Sequence, residues 1–241
     1  MRKTIFLGAS AVMAICVIGA SRADDFSGEK PAVQTADRVE WAWDGGDRAG
    51  IAVPATVHYQ AGGQPRVIVR GPADLLKRVR YDHGELGLER TLFDWNTGDE
   101  KLDVILTGMT LHKVGLAGRV DLDMGEIHQD RLDLSIAGRG TVAASGSADD
   151  LSVRISGSGD YQLGKLAAKS LEVRIAGSGQ VAAASADHAR VLISGSGDVH
   201  FASAMPKDIS TSITGSGSVS DAEGRVIGRN EARRHRDERT R

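Results

Sequence analysis

The stretch "VRISGSGDYQLGKL", starting at Val153, holds a Gly-Ser-Gly that three kinds of chemistry use: a phosphate-cradling loop, a nucleophile turn or a structural corner. Near-copies follow it, "VRIAGSGQVAAASA" from Val173 and "VLISGSGDVHFASA" from Val191. A G-x-x-x-x-G-K-[ST] nucleotide loop is met from Gly159 through Gly164 to Lys165, but Leu166 stands where a hydroxyl must hold Mg²⁺. The dinucleotide fingerprint needs a third glycine where Gln162, Ala182 and His200 stand. No G-x-S-x-G nucleophile elbow is present.

Asp160 and Asp198 follow the second glycine directly, as calcium ligands in stacked coils do, yet Thr141, Gln180 and Ser218 fill that place in other copies. The histidines (His58, His83, His112, His128, His188, His200 and His235) are scattered, none paired at metal-ligand spacing, so surface positions are expected. Asp123, Glu126 and Asp130 cluster, and polysaccharide-cleaving coils group acids on a flank. Such a cluster in a polar stretch is more often a solvated face, which is the reading taken, and the sequence holds no acid–base geometry. No catalytic, metal or cofactor-binding residue is assigned. A structural corner is left, formed by Gly138 and Gly140, by Gly157, Ser158 and Gly159, by Gly177, Ser178 and Gly179, by Gly195, Ser196 and Gly197, and by Gly215, Ser216 and Gly217. Glycine takes positive φ without strain and lets backbones approach. The serines are expected to stack as a polar ladder, which Arg139 interrupts.

The elements that position these corners repeat. The first glycines fall at Gly118, Gly138, Gly157, Gly177, Gly195 and Gly215, at intervals of 20, 19, 20, 18 and 20 residues. Before each corner alternate residues are aliphatic, as in Leu132/Leu134/Ile136, Leu151/Val153/Ile155 and Leu171/Val173/Ile175, which is the period of a strand with one buried face. A shorter alternation follows each corner: Val142/Ala144, Tyr161/Leu163, Val181/Ala183 and Val199/Phe201. Strand, corner, strand and connector returning every ~20 residues make one rung of an all-β solenoid. An antiparallel sandwich also has short, evenly spaced strands, but its turns vary where this corner recurs in register. No segment keeps helical periodicity, although "ADLLKRVRY" after Pro72 could make one turn.

Residues 37–107 are less regular and strand-like, expected to form a sheet that caps and continues the repeats of 108–222. Trp41, Trp43 and Trp95 fall here and are read as closing the end of the core, with carbohydrate stacking as the alternative. At the start, Arg2 and Lys3, the apolar run Ile5–Gly19 and Ser21-Arg22-Ala23 make a signal peptide over residues 1–23. The lone Cys16 follows Ile15 rather than a small residue, so ordinary cleavage is expected, leaving a chain without disulfides. Residues 24–36 are expected as a disordered leader. Residues 223–241, with seven arginines from Arg225 to Arg241, are expected as a disordered tail, binding to an anionic surface polymer being the functional alternative. The net charge of −2 suggests neither nucleic acid nor membrane as partner. No transmembrane segment follows the signal. Thirty glycines in 241 residues, with aromatics at 4%, fit many thin strands around a Val/Ile/Leu/Ala core.

The recurring [IL]-[SAT]-G-S-G-[DQS]-[VY], with "WDGGDRAGIAVPATVHY", "VIVRGPADLLKRVR" and "LDVILTGMTLHKVGLAG" before it, resembles the bacterial auto-transporter adhesin head GIN domain family over residues 37–222. The resemblance implies an exported protein with a right-handed parallel β-helix, and it supplies no catalytic residue. The residues after Ser220 are too few for a membrane barrel. The expected function is therefore a non-catalytic periplasmic or surface protein that presents flat β flanks to a protein or glycan of the envelope. A polysaccharide-active enzyme on the same scaffold and a purely structural envelope protein are the alternatives.

Overall fold

The computed structural model describes residues 28–89, 100–184 and 186–228. The expected signal peptide, Trp95 and the chain from Arg229 onward lie outside them. The first half contains β1 (Val33–Gln34), β2 (Arg38–Ala42), β3 (Arg48–Ala52), β4 (Ala55–Gln60), β5 (Arg66–Arg70), the four-residue helix α1 (Ala73–Leu76), β6 (Val79–Asp82), β7 (Glu85–Leu88) and β8 (Leu102–Thr107). The second half contains β9 (Lys113–Arg139), β10 (Thr141–Gly157), β11 (Asp160–Gly177), β12 (Gln180–Ala183), β13 (Ala186–Gly195), β14 (Asp198–Phe201), β15 (Asp208–Gly215), β16 (Ser218–Asp221) and β17 (Val226–Gly228).

The repeats stack in parallel with their corners in register: Gly138 pairs with Gly157, Gly157 with Gly177, Gly177 with Gly195, and Gly195 with Gly215. Each apolar position thus becomes a column. Leu134, Val153, Val173 and Val191 stack in one and Ile136, Ile155, Ile175 and Ile193 in the next, all at most 2% exposed. Behind the corner run Val142, Tyr161, Val181, Val199 and Val219. A fully buried aliphatic side chain contributes roughly 1.5–3 kcal/mol, but one rung alone has nothing to bury it against. The chain is a β-solenoid of about 5 turns.

The coil starts earlier than the regular repeats. β3 and β4 lie parallel beneath β9, with Ile51 against Leu116 and Val57 against Leu122, and they stack in parallel on β7 and β8 on their other side. Beyond β8 the pairing turns antiparallel through β5, β2 and β1, while β6 pairs antiparallel with β7. This mixed sheet closes the N-terminal end of the stack. Part of the expected leader belongs to it: β1 pairs with β2, and the Glu29 amide donates to the Tyr81 carbonyl at 2.7 Å. Part of the expected tail is ordered too, because β17 pairs antiparallel with β16. Two- and three-residue strands have no period to read, which is why the sequence does not announce them.

Candidate binding face

At each corner the first glycine has φ between +121° and +134° (Gly138, Gly157, Gly177, Gly195 and Gly215), a region side chains rarely enter. A Cβ on Gly177 would also collide with the carbonyl oxygen of Gly157 one rung below. The close approach serves a hydrogen-bond ladder. The amides of Ser158, Ser178, Ser196 and Ser216 each donate at 2.9 Å to the first-glycine carbonyl of the rung before. The serine side chains point into solvent and make no hydrogen bond among the described residues. The rung-to-rung bonds are therefore made by backbone, and Arg139 fits the same exposed place.

Side chains do bridge rungs elsewhere. His128 Nδ1 meets Ser147 Oγ at 2.9 Å, His188 Nδ1 meets Asp208 Oδ2 at 3.0 Å, and His200 Nδ1 meets Ser220 Oγ at 3.1 Å. Asp121 accepts from the Thr141 amide at 3.0 Å, and Asp198 accepts from the Ser218 amide at 2.9 Å and its hydroxyl at 2.7 Å. Burial raises the Asp121 carboxyl, but the Lys101 ammonium and the Thr141 amide outweigh it and hold the group below the ordinary carboxylate value. Asp160 shares this column but lies between Thr141 and Gln180, so the column alternates acid with neutral residues.

Asp123, Glu126 and Asp130 are all exposed. Asp123 accepts from the Gly125 amide at 2.9 Å, and Glu126 faces His128 Nε2 at 3.3 Å. They are not gathered around a cleft. Among the described residues, a donor set of metal-like spacing lies at the N-terminal end, where Glu29, Asp82 and His83 each bring one ligand atom within 4.8 Å of the others. His83 Nδ1 is 2.6 Å from Asp82, and Nε2 is 3.7 Å from Asp44. The Asp82 hydrogen bond and the Asp44 charge raise the His83 imidazole above its ordinary value. Sequence reasoning misses this group because Glu29 lies 54 residues from His83. Trp41 is buried, donates to the Glu29 carbonyl at 3.0 Å and packs 5.7 Å from Tyr81, whose other neighbour is Trp43 at 6.1 Å.

The flank before the corners also sets outward polar groups in register. Asp133, Ser152, Glu172 and Arg190 form one column, and Ser135, Arg154 and Arg174 stand in the next. Asp133 is only 14% exposed at its side chain and is held by Arg131 at 3.1 Å and Arg154 at 3.4 Å. Glu172 pairs with Arg174 at 2.6 Å. Arg131, Asp133, Ser152, Arg154 and Glu172 line a shallow depression of about 220 Å³ across three rungs, with Arg174 held beside it by Glu172. Ser152 Oγ lies within it, shielded and without a hydrogen-bond partner among the described residues. A buried hydroxyl normally finds one.

Fold and surface together define a solenoid whose outward groups are presented by a sheet flank. Residues 51–221 match the family described as "Putative auto-transporter adhesin, head GIN domain", and the chain belongs to that family. A solved structure of a putative adhesin from Bacteroides fragilis superposes with a TM-score of 0.61 at 17% identity, covering 80% of this chain and 100% of that one. A putative lipid binding protein from Parabacteroides distasonis gives a TM-score of 0.46 at 17% identity, covering 77% of this chain and 96% of its own. A putative adhesin from Parabacteroides merdae gives 0.45 at 15%, covering 77% and 95%. No curated protein matches the chain. Family and first neighbour carry the same description, that of a putative adhesin. Among the described residues no helix is long and apolar enough to cross a membrane.

Proposed function

We propose that the protein is an exported, non-catalytic solenoid of the cell envelope that binds a protein or glycan partner through its flat β flanks. The depression before the corners carries this reading: side chains of three consecutive rungs converge there, with the Ser152 hydroxyl unengaged. Alternating guanidinium, carboxylate and hydroxyl groups suit a partner rich in hydroxyls or in both charges, and mixed signs do not suit a polyanion. The glycine corners serve the backbone that holds these columns in register. Membership of the adhesin-head family supports the binding role, and the leader pattern of residues 1–23 supports export. Immobilising the full chain in an envelope extract, beside a variant lacking residues 229–241, tests it. The same partner is expected from both forms. Recovery of none in either contradicts the reading, and recovery by the full chain alone, reversed by salt, moves binding to the arginine-rich tail.

A further inference from the structure

The two ends of the coil are finished differently. The N-terminal end is closed by antiparallel strands, and at the other end β17 covers β16. Among the described residues β15 pairs with β13 alone. Its inward residues Ile209, Thr211 and Ile213 are only partly buried, whereas Ala189, Val191 and Ile193, on which they stack, are at most 7% exposed. Unpaired backbone groups beside an open apolar face are a template for another strand.

Residues 229–241 hold little that is apolar. The chain leaves β17 with Gly228 opposite Ser218. Continued past the corner in that register, it would set Arg233 against Ile213 and Asp237 against Ile209, and Ala232 is the one apolar residue in 229–241. The strand that fits β15 is β15 itself. We propose that the protein forms a two-fold dimer in which β15 pairs antiparallel with β15 of a second copy, centred on Thr211. Ile209 then lies opposite Ile213 of the second copy and Thr211 opposite its twin, so every inward residue meets an inward residue. Outward, Ser210 meets Ser212, and Asp208, the strand's one charge, meets Thr214, so no like charges face each other. The pairing is isologous and the opposite end is closed, so assembly stops at two.

The test uses the full chain with Cys16→Ser, which has no other thiol. Thr211→Cys in that background faces its twin with Cα atoms about 4.5–5.5 Å apart, within disulfide reach. Thr214→Cys lies about 20 Å from its twin, six residues of offset at about 3.3 Å each. The protein is expected to sediment as a dimer. Mild oxidation should cross-link Thr211→Cys and not Thr214→Cys, and Thr211→Lys, which opposes two ammonium groups on the axis, should sediment as a folded monomer. A wild type that stays monomeric at all concentrations, a Thr211→Lys dimer, or cross-linking through position 214 instead of 211 overturns the proposal. So does a dimer that forms only after deletion of residues 229–241, which would assign the edge to the tail.

Discussion

Gly177 and Ser178 are adjacent and alike in size, yet they bear opposite loads. Gly177 sits at φ +132° with the Gly157 carbonyl against the place of a Cβ, while the Ser178 side chain is exposed and unbonded. Gly177→Val should cost about 1–3 kcal/mol in strain, and Ser178→Ala should stay within about 0.5 kcal/mol, both read from urea unfolding. Unchanged unfolding of the valine variant would refute the corner's structural role. Asp221 is a different case: a buried carboxylate in the column continued from Phe201, it accepts from the amides of Met205, Glu223 and Arg225 and from Arg225 Nε at 2.7 Å. Burial raises its carboxyl, but the bonds from Arg225 and Met205 prevail and hold it below the ordinary value. Its contribution is thus complete above the usual carboxylate pKa of about 3.9 and is lost as pH falls through the lower folded value. Asp221→Asn should flatten the melting temperature's decline as pH falls below about 4. The glycine spacing announces the corners, but nothing in "SVSDAEGR" announces Asp221 as a core position, because its partners come from a turn.

At the scale of elements, the columns were legible because every rung repeats one aliphatic alternation at nearly one length. Val173 is fully buried between Val153 and Val191. Val173→Ala should therefore cost about 2 kcal/mol, the loss of two methyl-sized groups plus the void they leave, measured by chemical denaturation. A cost below about 0.5 kcal/mol would contradict the stacking. What the repeat could not disclose was the rung of β3 and β4. Its partner in β9 is some 65 residues away, and β5 to β8 intervene without the glycine corner. The candidate face was legible only in part. The alternation shows that Asp133, Ser152 and Glu172 point outward, but that they share one column follows from register, which the uneven intervals obscure.

For the whole molecule, the coil turns weak local signals into two extended flanks, one of which gathers ion pairs and an unengaged hydroxyl. Binding through that flank requires neither a deep pocket nor the exposed acids Asp123 and Glu126. The most direct measurement is equilibrium binding of the purified protein to isolated envelope fragments, comparing wild type with Arg154→Glu/Arg174→Glu and with Asp123→Asn/Glu126→Gln. The arginine pair should weaken binding at least about tenfold, about 1.4 kcal/mol, with melting retained, and the acid pair should leave it unchanged. Binding untouched by the arginine reversal, or soluble sugar released by the wild type and not by the acid-pair variant, would contradict the account.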